Sequence, residues 1–398
     1  MEKLFKYSGT RIQAVDTGFR RYLWNDINWK NRLIVITGAR GVGKTTLMLQ
    51  YIKENLMDKP DEVIYISLDD LYFSKNSLVD FADGFVKRAG KYMFLDEIHK
   101  YRNWWQEIKN IYDYFPSLKM IATGSSTLDV HKGKTDLSRR AIMYKMNGLS
   151  FREFMELRYR QTFPVISLNE IIENPSKKIH NILNQIKPIK YYEEYIRWGY
   201  YPFFTEGTEN YPIRLKQIVN HILDIDLPST EAINYQAIYY IKKLLSILSE
   251  IVPFRPNILK LSRQVSISRE TMLHYLYLLE RADLLLMLQT YTKGISKMNK
   301  PKKIYLNNTN LHYSLSDGPV NKGSVRETFF YNQLQVNHQV SYTPAGDFMV
   351  DGTYTFEVGG KNKSPKQISG LKDAFIASDD IEYSYQKRIP LWLFGFLY

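Results

Sequence analysis

No cysteine stands anywhere in the 398 residues, which excludes disulfides, thiolate nucleophiles and Cys-based zinc or iron–sulfur sites and suits a reducing compartment. Histidine is scarce. The seven (His99, His131, His180, His221, His274, His312 and His338) include no pair at the i, i+3 or i, i+4 spacing of helical metal ligands, which argues against a histidine-built metal site. Long apolar runs are missing as well. The longest, such as LLLML and the closing IPLWLFGFLY, are too short to span a bilayer, and MEKLFKYSGTRIQ lacks the apolar core of a signal peptide. The expectation is a cytoplasmic protein with no membrane contact. Acidic residues are outnumbered, 41 against 54 Lys and Arg, and the net +13 suits an anionic partner: nucleic acid, a nucleotide or an acidic surface. A composition this rich in Tyr (31 copies) equally fits a genome's base-composition bias.

What is present is length enough for roughly two to four domains, with 44% apolar and 24% charged residues, as in globular chains. The stretch TGARGVGKTT follows the apolar run RLIVI and precedes LMLQYIKE. From Gly38 to Thr45 it reads G-x-x-x-x-G-K-[ST], a loop whose glycines let successive backbone N–H groups curl around phosphate oxygens. Leu33–Ile36 suits a buried parallel strand and 46–55 has helical spacing, so the phosphates meet a helix N-terminus. Gly38, Ala39, Arg40, Gly41, Val42, Gly43, Lys44, Thr45 and Thr46 are the candidate ATP-binding residues, with Lys44 reaching the β- and γ-phosphates and Thr45 ligating Mg²⁺. YMFLDE then delivers Asp96 and Glu97 at the carboxyl end of a second apolar strand. Asp96 is the candidate Mg²⁺ holder, through its water shell, and Glu97 the residue that polarises the attacking water.

Further on, KMIATGSS reads as a strand ending in small polar residues, which offers Thr123 or Ser125 to the γ-phosphate unless the tip is a plain polar turn. The order of phosphate strand, acid strand, polar-tipped strand is that of P-loop ATPases in which an extra strand separates the first two. VIYISL is the remaining parallel strand. His99 is read as a helix-start or supporting residue; DEIH resembles the DExH box of helicases, but nothing downstream resembles their other motifs. Arg139 and Arg140 are either a finger or sensor for the γ-phosphate, in cis or in trans, or part of a solvated basic loop.

Together TGARGVGKTTL, YISLDD, YMFLDEIHKYRNWWQEIK, IATGSS and LSRRAIMYKMNGLSFREF resemble, nearly end to end, the AAA+ ATPases of bacteria and archaea that carry a C-terminal domain of unknown function. The resemblance implies an α/β fold: a five-stranded AAA+ P-loop parallel sheet, a helical connector, a winged helix-turn-helix, and a C-terminal α/β domain similar to PD-(D/E)XK restriction-endonuclease-like nucleases. The boundaries expected are 1–160, 161–235, 236–315 and 316–398.

The later segments read less sharply. Residues 162–190 carry three prolines and suit a connector, and YYEEYIRWGYYPFF is either a packing surface or a base-stacking one. Helices are expected over 237–252, 258–265 and 269–282, the third with Met272, Leu276, Leu279 and Ala282 on one face, followed by strands LLLMLQ and KIYLN around TKGISKMNKPKK. Between 236 and 315 stand twelve Lys/Arg against four Asp/Glu, leaving +8. Arg269, His274, Tyr277 and Arg281 on the third helix, with Lys293, Lys297, Lys300, Lys302 and Lys303 in the wing, are candidates for double-stranded DNA contact. The rival is a module that docks on its own ATPase domain, with the tail binding a protein partner. In the C-terminal stretch Asp347 and Glu357 fit the Asp…Glu-x-Lys pattern of metal-dependent nucleases, but the lysine position is Gly359. Lys361 is the candidate substitute, with Glu327 and Gln367 flanking. A three-residue loop, Val350-Asp351-Gly352, puts both acids on one face; a two-residue Asp351-Gly352 turn puts them on opposite faces unless a bulge restores phase. Oligomeric state stays open.

Overall fold

A computed structural model of the protein describes residues 2–125, 137, 139–231, 233–253, 255–290 and 300–398. The chain divides into two compact units, Met1–Asn147 with Asp224–Ile233, and Gly148–Leu223 with Asn234–Tyr398.

The first unit is built on a five-stranded parallel sheet. Its strands are β1 (Leu33–Gly38), β2 (Val63–Ser67), β3 (Tyr92–Asp96), β4 (Lys119–Ser125) and β5 (Ile142–Lys145), in the order β2-β3-β4-β1-β5. Continuous apolar runs suit strands covered on both faces. Leu33 and Val35, Ile64 and Ile66, and Met93 and Leu95 share one face and join the core with residues such as Phe81 and Ile108. β4 pairs with β1 on one side and β3 on the other, the separation read from the strand order above. β5 carries no apolar signature because it is an edge strand with Ile142 and Met143 exposed.

In the second unit, Ser150 and Glu153 form a capping box at the head of helix Phe151–Tyr159, and both are fully buried. The Ser150 hydroxyl also donates to the Tyr398 carbonyl at 2.7 Å, and Arg152 Nε donates to the same oxygen at 2.9 Å. The aromatic stretch 191–204 is a packing element: Tyr192, Tyr195, Tyr200, Tyr201 and Phe204 are buried. Helices Tyr235–Ile251, Ile258–Val265 and Arg269–Arg281 follow, with Met272, Leu276, Leu279 and Ala282 all buried, and then the antiparallel pair β6 (Leu285–Leu288) and β7 (Lys303–Leu306).

A mixed sheet closes this unit: β8 (Val340–Ser341), β9 (Phe348–Val350), β10 (Tyr354–Gly359), β11 (Ala374–Ser378) and β12 (Arg388–Pro390), in the order β12-β11-β10-β9-β8. Helix Lys322–Leu334 covers it, setting Phe330 against Phe348 and Phe356. Among the described residues no helix is long and apolar enough to cross a membrane.

Because Ser150 both caps its helix and ties down the Tyr398 carbonyl, Ser150→Ala is expected to lower stability by about 1–2 kcal/mol. Chemical denaturation followed by circular dichroism, against wild type, measures it.

Candidate functional site

The phosphate loop leaves the carboxyl end of β1, where parallel-sheet ligand sites form. Gly38 takes φ 152°, and a Cβ there would lie 2.2 Å from the Met146 carbonyl oxygen, so only glycine lets the two backbones approach. Gly43, at φ 101°, starts helix Lys44–Asn55 with no side-chain cap, which keeps its first N–H groups for a ligand. Lys44 is buried, and its Nζ donates to the Gly38 and Ala39 carbonyls at 2.8 and 2.9 Å. The ammonium is therefore folded over the loop it serves. Arg21, buried and missed by sequence reading, donates to the Val42 carbonyl and, at 2.7 Å, to that of Asn147. Arg40 is half-buried, and Gly41 and Thr46 are exposed.

Asp96 ends β3 beside this loop. Its carboxylate accepts from Thr45 Oγ1 at 2.9 and 3.1 Å, from the Tyr65 hydroxyl at 2.9 Å, and from Thr123 Oγ1. Burial, then Asp96 itself, pushes the Tyr65 hydroxyl well above its ordinary pKa, so it remains a donor. Three hydroxyls thus hold one carboxylate in place. Among the described residues no three His, Cys, Asp or Glu side chains gather as a metal cage. The all-oxygen pair of Thr45 and Asp96 fits Mg²⁺, which takes few protein ligands and completes its shell with water and phosphate oxygens.

Glu97 adopts a left-handed backbone, φ 55° and ψ 43°, an uncommon state for a residue with a side chain. Its N–H donates to Thr123 Oγ1 at 3.2 Å. Beyond it the Ser125 N–H donates to His99 Nδ1 at 3.3 Å. The other ring nitrogen, Nε2, lies 3.3 Å from Glu97 Oε2 and 3.6 Å from Asp226 Oδ1. Asp226 is 1% exposed and also meets Lys100 Nζ at 2.8 Å and Arg40 Nη1 at 3.8 Å. Burial opposes its charge, yet His99 and Lys100 outweigh that and hold its pKa below the carboxylate range. Nothing in the sequence around Asp226 points to it, because it lies far along the chain from the phosphate loop.

Of the two alternatives for the arginines, their placement fits the loop and not a sensor in cis. β5 begins with Ile142 opposite Ile34, so Arg139 and Arg140 lie at the amino end of the sheet, the end away from the phosphate loop. Arg140 Nε and Nη2 each bond a carboxylate oxygen of Asp113 at 2.9 Å, and Arg139 is exposed. Neither serves its own chain's phosphates.

Of the candidate DNA-facing residues, Arg269, His274, Lys300 and Lys302 are exposed, while Tyr277 and Arg281 are half-buried with the guanidinium 5.6 Å over the Tyr277 ring. Lys293 and Lys297 lie outside the described residues. Lys303 is a correction: it points inward, its Nζ 2.9 Å from Asp347 and 3.1 Å from Glu327, because two partly buried carboxylates need a cation.

Those contacts belong to a second cluster, in the C-terminal part. Asp351 and Gly352 take positive φ (52° and 67°) and the Thr353 N–H bonds the Val350 carbonyl at 3.0 Å, as in a two-residue turn. The ladder nevertheless resumes with Tyr354 opposite Val350, so Thr353 is the odd residue that restores phase. Continued by one step, this register sets Asp347 opposite Glu357 on one face. Glu327 joins them through Lys303 and accepts from the Tyr305 hydroxyl at 2.8 Å. Lys361 is exposed and does not stand in for the missing lysine. Lys363 lies beside the acids, with Nζ 3.3 Å from Glu357 Oε2 and its stem in the space a side chain at Gly359 would fill. Gln367 is exposed and makes none of the hydrogen bonds that join the cluster. Burial, then Asp347, raises the Glu357 pKa well above the carboxylate range; Asp347 lies below it, where the Glu357 carboxyl and Lys303 outweigh its own burial. Each carboxylate has an ammonium beside it or shares a proton, so the cluster as it stands does not fit a divalent metal.

Comparison with known proteins bears on the first unit most. Residues 30–155 match the family model of an AAA domain, and residues 189–320 match that of a domain of unknown function, DUF8612. The chain is 28% identical over 394 residues to the uncharacterized protein MJ1637 of Methanocaldococcus jannaschii, covering 91% of this chain and 82% of that protein. Among solved structures, AMPPCP-bound DnaA from Aquifex aeolicus aligns at TM-score 0.29 and 16% identity, over 65% of this chain and 84% of that one. PCH-2 of C. elegans aligns at 0.26 and 16%, over 69% and 67%, and a DNA replication initiation factor at 0.25 and 13%, over 70% and 88%. The first unit therefore carries the AAA domain match on a parallel sheet with a phosphate loop at its carboxyl edge.

The Glu357 carboxyl keeps its proton in the folded chain at pH values where the unfolded chain, titrating near 4.5, has lost it. Its stabilising contribution is therefore full below that value and lost as pH rises toward and past the raised folded value. Melting temperature is expected to fall between about pH 5 and pH 9, and Glu357→Gln to flatten that slope; a scanning-calorimetry pH series measures both.

Proposed function

We propose that the chain hydrolyses ATP with Mg²⁺ and couples its nucleotide state to DNA through the basic helix and strands of 236–315. The observation that carries the ATPase half is the convergence of Thr45, Thr123 and Tyr65 on Asp96, with Glu97 next in line and Lys44 across the loop. In this reading the loop amides and Lys44 bind the triphosphate, and Thr45 and Asp96 hold the metal. Bound Mg²⁺ would neutralise phosphate charge and orient the leaving group. Glu97 takes the proton of the attacking water, and Thr123 fixes the Glu97 backbone from which that carboxylate projects.

Support for DNA contact is charge and exposure: +8 over eighty residues, with Arg269 and His274 presented outward on helix Arg269–Arg281. A switch that acts on a protein partner without DNA is the second reading, favoured by the return of 224–233 to the ATPase unit. The nuclease reading of Asp347 and Glu357 is the weaker third, given the ammonium groups already beside them.

Steady-state turnover tests the first half: Glu97→Gln is expected to lower kcat by about 100-fold or more, and Lys44→Ala to abolish turnover. For the second half, duplex binding is expected to weaken with salt, and Arg269→Ala to reduce the slope of log K against log[salt] by about 1. A flat salt response would leave the protein-partner switch.

A further inference from the structure

Three acids of the C-terminal part come to one place from three elements: Glu327 from helix Lys322–Leu334, Asp347 from the position before β9, and Glu357 from β10. Two of them share one cation. Lys303 Nζ donates to Asp347 Oδ1 at 2.9 Å and to Glu327 Oε2 at 3.1 Å, and its side chain is 12% exposed. The fold builds this lysine in. β7 pairs Lys303 with Leu288 on β6, and the base of that pair is fixed by the Tyr331 hydroxyl, which donates to the Met287 carbonyl at 3.2 Å, and by the Tyr342 N–H, which donates to the Gln289 carbonyl at 2.7 Å. Each of the two acids has a further donor: the Tyr305 hydroxyl on Glu327 at 2.8 Å and the Val358 N–H on Asp347 at 3.0 Å. Glu357 differs. Its side chain is 1% exposed, no N–H or hydroxyl among the described residues donates to either of its oxygens, and Lys363 Nζ meets Oε2 at 3.3 Å as an ion pair outside hydrogen-bond geometry. A buried carboxyl in that state beside two others marks a demand for positive charge that the side chains meet only in part.

We propose that the Lys303 ammonium is the built-in cation of a carboxylate site: it takes the seat of a hard divalent ion between Glu327 and Asp347, and its removal turns the site into one that binds such an ion. A tethered ammonium competes with free ions at the high effective concentration of an intramolecular partner. The seat is spaced for nitrogen. Its N···O distances of 2.9 and 3.1 Å exceed the roughly 2.3–2.6 Å of Ca²⁺–oxygen bonds less than the roughly 2.0–2.1 Å of Mg²⁺–oxygen bonds, so Ca²⁺, with its flexible shell, asks the least movement of the acids. This inference is independent of the ATPase reading, and it leaves the wild-type acids without the divalent ion that the nuclease reading requires.

The test is calorimetric titration of Ca²⁺ into the full chain without nucleotide, for wild type, Asp347→Asn, Lys303→Met, and Lys303→Met with Asp347→Asn, beside a thermal melt of each with and without Ca²⁺. Methionine keeps most of the stem and drops the charge. Binding at Thr45 and Asp96 is common to all four proteins and cancels in the comparison. Lys303→Met is expected to bind one Ca²⁺ per chain more than wild type, at least about 10-fold tighter than any wild-type binding, and to melt higher with Ca²⁺ than without it; adding Asp347→Asn is expected to remove both effects. Three results overturn the proposal: Ca²⁺ binding by Lys303→Met no stronger than by wild type, equal binding by Lys303→Met with and without Asp347→Asn, or wild-type Ca²⁺ binding that Asp347→Asn alone abolishes. If Lys303→Met does not fold in the absence of Ca²⁺, its refolding yield is followed by circular dichroism and is expected to rise at least about 5-fold when Ca²⁺ is added; no rise overturns the proposal too.

Discussion

Parallel pairing of β4 with β1 on one side and β3 on the other is the constraint on which the site depends. Three strand ends meet at one edge because of it: the loop and Lys44 after β1, Asp96 and Glu97 at the end of β3, Thr123 and Ser125 at the end of β4. The register then fixes the chemistry. Thr123 lies where its hydroxyl donates to Asp96 and accepts from the Glu97 N–H, so one side chain sets both acids. The apolar faces of the strands supply the burial that makes the register stiff, since a slip by one residue would turn Val35, Ile66 and Leu95 out of their core.

Charge placement divides the molecule in a way composition alone does not reveal. Lys44, Arg21 and Arg40 gather at the phosphate loop, whereas Arg140 is neutralised by Asp113 at the far end of the sheet. In the second unit Lys303 turns inward to hold Asp347 and Glu327, so part of the basic surplus of 236–315 belongs to an internal ion cluster and not to a surface. Among the described residues of that stretch, Arg255, Lys260, Arg263, Arg269, Lys300 and Lys302 face water.

Much of this was legible beforehand because it is local. The G-x-x-x-x-G-K-T loop, the apolar strand ending in Asp96-Glu97 and the helical spacing of Met272, Leu276 and Leu279 are short-range patterns, and each element lies where its pattern predicts. The failures are long-range. Asp226 reaches His99 from more than a hundred residues away, and Arg21 reaches the loop from a segment with no motif. The ammonium beside Glu357 comes from Lys363, in a loop whose path nothing in the sequence specifies, whereas motif spacing favours Lys361. β5 escaped notice because an exposed edge strand needs no apolar run. The hairpin at Asp351 and Gly352 was undecided for a simpler reason: the turn residues were evident, but the extra residue at Thr353 was not.

The most direct measurement is calorimetric titration of a non-hydrolysable ATP analogue with Mg²⁺ into the full chain, beside Lys44→Ala. Saturable binding with one nucleotide per chain, weakened at least about 10-fold by the substitution, is the predicted result. Equal affinity in the two proteins, or no binding by folded wild type, would contradict the account.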